Sequence, residues 1–248
     1  MSLALAAAAF APGLAVGSFL NVVAARVPLK RSVVSPGSAC MSCGHELAWY
    51  ENVPVVSWLA LRGRCKGCGA RIGVVYPAVE LATALLVAGS FWKFGWSGTS
   101  FVAAFFCAAL VTVSATDLSH RIVPNVVVLP AAAIVLVAMT ALHPGAEWAL
   151  GAFGASFFLF LAALAYPAGM GMGDVKLALL LGAMLGRTVP VALMVGMVAA
   201  LVPSAVLFAR HGSAARKMGI PFAPFLALGG VVALFAGDAI LDAYLSTF

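Results

Sequence analysis

Two aspartates in an otherwise apolar chain are the residues best suited to do chemistry. Asp117 follows a long apolar run, and Asp174 follows Gly171-Met172-Gly173 at the start of another. Ionisable side chains at membrane depth are energetically expensive and suggest function by default. Two carboxylates that share a site can act as an aspartyl protease, because one accepts a proton from water while the other, protonated, polarises the scissile carbonyl. The glycines before Asp174 allow a tight turn and a close approach of backbone to substrate.

Each aspartate taken alone also has a structural explanation. Asp174 beside two glycines is typical of a helix cap next to a packing motif, because glycine is frequent in membrane helices. Asp117 alone would serve as an interfacial cap or as a partner for Arg121. The expected placement of both acids at one membrane face favours the functional interpretation. The acids expected on the opposite face are Glu147, Asp238 and Asp242.

Four cysteines form a second candidate site. They stand in two CxxCG elements, Cys40-Met41-Ser42-Cys43-Gly44 and Cys65-Lys66-Gly67-Cys68-Gly69, with twenty-one residues between the inner cysteines. Two such pairs on tight turns supply four thiolates for a tetrahedral Zn²⁺ ion, which is expected to be structural because no coordination position stays open. Two disulfides, or a redox-active pair, are the alternatives, and a reducing compartment disfavours the disulfides. His45 could compete as a ligand, whereas Cys107 lies in an apolar run and is expected in the core.

The elements that must position these residues are membrane helices. Hydrophobic residues make up 64% of the 248-residue chain and charged residues 9%, against roughly 25% charged residues in soluble proteins. So few charges cannot cover a water-facing surface, and the long apolar runs differ from the alternating pattern of a β-barrel. The sequence therefore predicts an all-α polytopic membrane protein with about eight transmembrane helices. The predicted spans are residues 3–24, 76–94, 98–116, 123–142, 148–167, 175–187, 189–209 and 222–244.

Basic residues predict the orientation of these helices. Alternating from an outside N-terminus, the cytoplasmic segments hold twelve of the fourteen lysines and arginines, and the outer segments hold only Lys93 and Arg187. This bias follows the positive-inside rule, and it places segment 25–75 and both aspartates at the cytoplasmic face. The first span is expected to be retained, because its basic residues follow the apolar run instead of preceding it. The net charge of +6 is thus explained by orientation, and no nucleic-acid partner is predicted.

The chain resembles type IV prepilin leader peptidases, the membrane GxGD-type aspartyl proteases that mature pilins and type II secretion pseudopilins. The resemblance runs nearly end to end. Its motifs are Gly17-Ser18-Phe19-Leu20-Asn21-Val22-Val23 with Arg26 and Pro28, the four cysteines, Val53-Pro54, Ser57-Trp58, Tyr76-Pro77 with Glu80, Asp117 with Pro124-Asn125, Gly171-Met172-Gly173-Asp174-Val175-Lys176-Leu177, and Pro221-Phe222-Ala223-Pro224-Phe225-Leu226. Departures from the common family pattern include Val123 and Ala223, and none of the departures is expected to touch the aspartates.

The resemblance implies a bifunctional enzyme of the bacterial inner membrane. Asp117 and Asp174 would be its catalytic aspartates, cutting the short basic leader from a prepilin whose apolar N-terminal helix lies in the bilayer. Methylation of the new N-terminal amine by S-adenosylmethionine is the second implied activity. It is associated with the cysteine-bearing loop, here the ligands Cys40, Cys43, Cys65 and Cys68. The implied domains are a first transmembrane helix (1–24), a cytoplasmic zinc domain (25–75) and a seven-helix membrane peptidase domain (76–248).

Two other functions stay open on the sequence alone. One is a peptidase without methyltransferase activity. No glycine-rich strand–turn–helix fingerprint is present, so the sequence does not show where S-adenosylmethionine would bind. The other is a proton-coupled transporter, which predicts acids near mid-bilayer and inverted repeats. Some polar residues near helix ends match the family but also have structural explanations, such as anchoring at the interface. They are Asn21, Arg26, Glu80 and Lys176.

Overall fold

The computed structural model describes residues 2–166, 170–212 and 219–247, and these residues form nine α-helices. Within the described ranges there is no β-strand, only isolated antiparallel bridges at Ala39–Glu46 and Arg64–Arg71. The predicted all-α fold is confirmed. The helices are α1 (Ser2–Arg26), α2 (Val56–Ala60), α3 (Val75–Phe94), α4 (Gly98–His120), α5 (Asn125–Leu142), α6 (Glu147–Ala165), α7 (Met172–Leu185), α8 (Val189–His211) and α9 (Ala223–Leu245).

All of these helices except α2 match the eight predicted spans. Seven stretches of the described chain are long and apolar enough to cross a membrane, and one of them, Met172–His211, joins α7 and α8 through a 3₁₀ turn at Gly186–Thr188. With 14 residues, α7 is about 21 Å long, shorter than the roughly 30 Å hydrocarbon core of a bilayer. The chain is thus a multi-pass membrane protein. Two basic residues used in the orientation argument, Arg216 and Lys217, lie outside the described residues.

Both aspartates lie inside helical turns. The largest difference from the predicted boundaries is at α4, which continues past residue 116 to His120. It stops there because Arg121 adopts a left-handed conformation, with φ of 55°, and Pro124 follows three residues later. Asp117 therefore occupies the last turn of α4, where its carbonyl accepts the Arg121 N–H at 2.8 Å. Since α7 begins at Met172, Asp174 occupies the first turn of that helix.

The chain folds as two compact units, and the first comprises residues 1–115. Its helices α1 and α3 pack closely along each other. A Cβ atom on Gly13 would lie 2.7 Å from Ala84 Cα, and one on Gly17 would lie 2.6 Å from Glu80 Cα. Only glycine permits this approach, which is the usual device for packing helices in a bilayer. The segment between these two helices carries the four cysteines and α2.

In the second unit, residues 116–248, α7 is the central helix. It packs against α5, α6 and α9, and nine of its 14 residues are buried. The backbones of Gly182 in α7 and Gly151 in α6 are in direct contact. Because other helices surround α7, its ends are covered by protein and it does not have to span the hydrocarbon core alone. The first turn of this enclosed helix is where Asp174 lies.

Candidate active site and metal centre

The structure brings Asp117 and Asp174 together within the second unit. The two carboxylates interact electrostatically. Asp117 is buried, with 7% of its surface exposed, and Asp174 is half-buried. Buried charges are costly unless they are paired or hydrogen-bonded, so the contacts of each aspartate determine how it is held.

Asp117 is held by the beginning of α9. The backbone N–H of Ala223 donates a hydrogen bond to Asp117 Oδ2, at 3.2 Å. Ala223 is the first residue of α9, where backbone N–H groups have no partner inside the helix. The carboxylate supplies that partner, and a negative charge is favourable at this end of a helix. The last turn of α4 is thereby joined to the first turn of α9.

Asp174 is positioned by the close packing of Gly173 against Val123. A Cβ atom on Gly173 would lie 2.8 Å from Val123 Cβ, closer than real Cβ contacts. Val123 belongs to the short link between α4 and α5, six residues after Asp117. Gly173 therefore lets the start of α7 press against the segment that follows Asp117. The Asp174 side chain lies over Gly171. The backbone N–H of Asp174 donates to the Gly171 carbonyl at 3.1 Å.

Two polar contacts fix the first turns of α7. The Lys176 ammonium donates to Asn125 Oδ1 at 2.9 Å, which joins α7 to the start of α5. Ser156 of α6 donates its hydroxyl to the Val175 carbonyl at 3.0 Å. Lys176 thus has a structural partner. These contacts attach the end of α7 that contains Asp174 to both α5 and α6.

The expectation that no departure from the family pattern would touch the aspartates is wrong. Ala223 hydrogen-bonds Asp117, and Val123 supports Gly173 beside Asp174. A local signal for both was present in the sequence. Each stands immediately before a proline near the start of a helix, Pro124 at the cap of α5 or Pro224 in the first turn of α9.

For the leader cleavage that the family resemblance implies, replacing Gly173 with alanine is expected to slow the reaction at least about ten-fold. The added methyl group must displace Val123 or shift Asp174, and misplacing a group that acts in catalysis by about 1 Å costs up to about a hundred-fold. Cleavage of a prepilin by the purified protein measures the effect. Gly154→Ala is the matched control, since a Cβ atom at Gly154 of α6 meets nothing within 4 Å. Unchanged cleavage by Gly173→Ala would show that this packing does not position the aspartate.

The four predicted ligand cysteines form one cluster in the first unit. Their sulfur atoms all lie within 4.8 Å of one another, and the Cys40–Cys68 and Cys43–Cys65 separations are both 3.9 Å. A tetrahedron with metal–sulfur bonds of about 2.3 Å has sulfur–sulfur edges of about 3.8 Å, so the cluster fits a tetrahedral Zn²⁺ ion. All four are free cysteines, without a disulfide between them.

Two turns of the same design present these sulfurs. In the first turn, Cys40 N–H donates to the His45 carbonyl, and Gly44 N–H donates to the Cys40 carbonyl. The second turn repeats both bonds, from Cys65 to Ala70 and from Gly69 to Cys65. Gly44 and Gly69 both have φ of 72°, a conformation that is costly for other residues. The repeated bonds and the repeated φ place the two cysteine pairs in equivalent positions.

The thiols of the cluster differ in acidity: hydrogen bonds to neighbouring thiols outweigh the one from the His45 backbone and raise the pKa of Cys43 to about 12. Backbone N–H groups of Ser42 and Cys43 lower the pKa of the Cys40 thiol to about 6, and the thiolate is the form that binds a metal. His45 is engaged elsewhere, since its Nε2 atom lies 3.0 Å from Glu51 Oε2. Cys107 is buried in α4, as expected for a core residue.

Of three residues with open roles, Arg26 and Glu80 join the cysteine segment to α1 and α3, and Asn21 joins α1 to α3. Arg26 donates to the carbonyls of Ser32 and Gly37, at 3.1 and 3.0 Å. Asn21 donates to the Tyr76 carbonyl at 3.1 Å. Glu80, buried in α3, accepts the Val55 N–H at 2.7 Å. Arg26 thus holds the loop that follows α1.

Val55 has an unusual backbone that Glu80 holds in place. Its φ and ψ are 63° and −48°, and the flanking Val56 N–H donates to the Pro54 carbonyl at 2.6 Å. This is a γ-turn with positive φ, a rare and strained turn, and it is especially costly for a β-branched residue. Strain of this kind persists only where the surroundings enforce it, and it is concentrated at functional sites.

Glu80→Ala is expected to destabilise the first unit by roughly 1–3 kcal/mol, because it leaves the Val55 N–H without its acceptor. Glu80→Gln should cost less, since the amide oxygen can still accept the hydrogen bond. Thermal unfolding of the detergent-solubilised protein, followed by zinc release, measures both. Glu46→Ala, at an exposed position of the same segment, is the control. Equal stability of the Glu80 alanine and glutamine variants would refute the role assigned to this hydrogen bond.

Comparison with known proteins places this chain among membrane peptidases. Residues 12–94 match the bacterial peptidase A24 N-terminal domain, and residues 104–208 match the type IV leader peptidase family. A prepilin leader peptidase/N-methyltransferase from Bacillus subtilis (strain 168) is 36% identical over 246 residues, covering 94% of this chain and 95% of the relative. The protein of the same name from Pseudomonas aeruginosa PAO1 is 36% identical over 94% of this chain and 91% of its own length.

A more similar but shorter match is to a Myxococcus xanthus protein of the same name, at 53% identity over 121 residues, or 49% of this chain and 36% of the relative. No solved structure matches the chain. The comparisons carry no information on individual residues, so the roles of the aspartates and cysteines depend on their geometry.

Proposed function

Because this chain belongs to the type IV leader peptidase family, we propose that Asp117 and Asp174 cleave the leader peptide from type IV prepilins and type II secretion pseudopilins. The single observation that supports this assignment most is the close packing of Gly173 against Val123, which brings two carboxylates from distant parts of the chain close together. The tight Gly173–Val123 contact and the Ala223 hydrogen bond hold these carboxylates at the ends of α7 and α4.

The proposed reaction is the hydrolysis of one peptide bond by a water molecule between the carboxyl groups. The ionised carboxylate takes a proton from water as the water oxygen attacks the carbonyl carbon, and the protonated carboxyl group donates a hydrogen bond to the carbonyl oxygen. As the carbon–nitrogen bond breaks, the carboxyl group that took the proton from water gives it to the leaving amine, and the other carboxyl group keeps its proton. Like charges in close proximity favour the singly protonated pair that this division of roles needs.

We place this site at the cytoplasmic face of the bacterial inner membrane, with the N-terminus outside. The support is the distribution of basic residues, twelve of fourteen on the inner segments. In this orientation the apolar N-terminal helix of a pilin would lie in the bilayer and bring its leader junction to the inner ends of α4 and α7. The functional parts would be the first helix (1–24), the zinc domain (25–75) and the peptidase domain (76–248).

The second proposed activity is N-methylation of the processed pilin, supported by the printed names of the relatives. S-adenosylmethionine supplies a methyl group: its carbon–sulfur bond breaks, sulfur keeps the electron pair, a carbon–nitrogen bond forms, and the amine loses a proton. Cys40, Cys43, Cys65 and Cys68 would hold a structural Zn²⁺ ion that maintains the fold of segment 25–75, since a four-thiolate site leaves no position for substrate.

Incubation of the purified protein with a prepilin, followed by intact-mass measurement, tests both activities. We expect loss of the leader in all samples, and a further gain of one methyl group only when S-adenosylmethionine is present. Cleavage without methylation would identify the protein as a peptidase without methyltransferase activity. A prepilin whose mass does not change would refute the proposed function.

A further inference from the structure

The first unit contains a cavity of about 410 Å³ beside the cysteine cluster, whose Cys40 and Cys65 form part of its wall. It lies between the cysteine segment and the α1 and α3 helices, and its lining includes Asn21, Ala25, Glu51, Trp58, Tyr76 and Glu80. Small-molecule sites usually have volumes of roughly 300–1,000 Å³ and combine apolar walls with a few convergent polar groups. This cavity has that size and that mixture.

Glu51 is the polar group that most needs a partner inside the cavity. Its side chain is only 2% exposed, although it lies in the polar segment between the two cysteine pairs. Oε2 accepts the Ala48 N–H and faces His45 Nε2, both at 3.0 Å. Oε1 is buried without a hydrogen bond, and the nearest cation, Lys66 Nζ, lies 3.6 Å away. A buried carboxylate oxygen left without a hydrogen bond is costly.

Glu51 retains its negative charge in this position. Donation from the Ala48 N–H and the interaction with His45 both lower the pKa of this carboxyl group. Its Oε1 atom has Lys66 as an ion-pair partner but accepts no hydrogen bond, and it therefore favours a ligand that carries a positive charge or a hydrogen-bond donor.

The strained Val55 turn lies beside the same cavity. Val55 donates to Glu80, which lines the cavity and comes from α3. The indole N–H of Trp58, another lining residue, donates to the Ile72 carbonyl at 3.1 Å, and this hydrogen bond fixes the ring. A rigid aromatic wall, two acidic residues and an enforced backbone turn are typical of a preformed ligand site.

We propose that this cavity binds S-adenosylmethionine. Glu51 Oε1 would face a cationic group of the methyl donor or accept a hydrogen bond from it. The inference rests on the proposed methyltransferase activity and assigns it a place in the first unit. The chemistry of the donor matches the lining: an adenine ring suits Trp58 and Tyr76, its sulfonium and ammonium groups suit Glu51 and Glu80, and its carboxylate suits the basic residues Arg26 and Lys66 at the cavity wall.

The direct test is photo-crosslinking of radiolabelled S-adenosylmethionine to the full-length, zinc-loaded protein in detergent, followed by peptide mapping. We expect the label within residues 18–26 or 38–80, and we expect S-adenosylhomocysteine to compete for it. A label confined to the second unit, or the absence of saturable binding, would overturn the assignment. Because pilin cleavage and methylation are measured on the same preparation, methylation with a label elsewhere would refute this site but not the proposed function.

Two pairs of variants locate the site more finely. Ala25→Trp would fill the cavity from an exposed position of α1, and Ala15→Trp places the same ring on an exposed position of that helix outside the cavity lining. Glu51→Gln removes the charge, and Glu46→Gln does so at an exposed position nearby. We expect donor binding to weaken about ten-fold or more, equivalent to about 1.4 kcal/mol, in Ala25→Trp and Glu51→Gln only. Zinc content and monodisperse elution verify folding, and unchanged affinity in folded Ala25→Trp protein would contradict the proposal.

Discussion

Replacement of Asp174 by alanine is expected to reduce leader cleavage by at least about a thousand-fold, since general acid–base groups contribute roughly 10²–10⁴ each and members of a catalytic pair act as a unit. Asp117→Asn should reduce cleavage equally, and this variant separates the loss of the ionisable group from the loss of a structural contact. The asparagine oxygen can still accept the Ala223 N–H, so the junction of α4 and α9 stays intact while the ionisable group is lost. Prepilin cleavage assayed by intact mass measures both variants.

The controls separate catalysis from structure. Asp242→Ala removes an exposed acid of α9 and should cleave as the wild type does. Asp117→Ala, unlike Asp117→Asn, also removes the partner of the α9 N-terminus and should lower stability by about 1 kcal/mol more. Substantial cleavage by a clean preparation of Asp174→Ala or Asp117→Asn would overturn the aspartyl mechanism.

Replacement of the buried Cys65 by serine is expected to reduce zinc binding by orders of magnitude and to unfold the cysteine segment. Structural zinc contributes about 10–16 kcal/mol of apparent binding energy in small four-ligand sites, and most of this energy is folding energy of the loop. Elemental analysis of the purified protein should show near-stoichiometric zinc in the wild type and little in Cys65→Ser. We expect methylation to be lost with the zinc while leader cleavage continues.

Cys107→Ala is the matched control, because Cys107 is buried in α4 outside the cluster. It should keep its zinc and its methylation. Full zinc occupancy in Cys65→Ser would show that the four sulfurs do not form one site. Loss of zinc with unchanged methylation would instead separate the metal from the second activity.

The sequence predicted the membrane helices and the cysteine site because their signals are local. Long apolar runs report where helices lie in lipid, and two CxxCG elements report a tetrahedral thiolate site. The meeting of Asp117 with Asp174 was also predictable, since alternating the spans under the positive-inside rule places both acids at one face. Their exact positions within α4 and α7 were less predictable, because a polar turn extended one helix and a glycine turn opened the other.

The contacts that position the two aspartates could not be derived from periodicity. Residues facing lipid and residues facing other helices are equally apolar, so hydropathy does not report which faces meet. The approach of Gly173 to Val123, and of Ala223 to Asp117, joins segments distant in sequence through backbone contacts. The same holds for Glu51, whose burial arises from the folding of the cysteine turns around it and has no counterpart in a local pattern.

The central claim is that Asp117 and Asp174 face each other in one site. The most direct measurement is cross-linking of Asp117→Cys/Asp174→Cys in a zinc-loaded Cys107→Ala background, with a short reagent that joins two thiols, read out by peptide mass spectrometry. We predict a cross-linked peptide pair containing positions 117 and 174, and none for Asp117→Cys/Asp242→Cys. Two cysteines that each react with a monofunctional reagent but never cross-link would contradict the account.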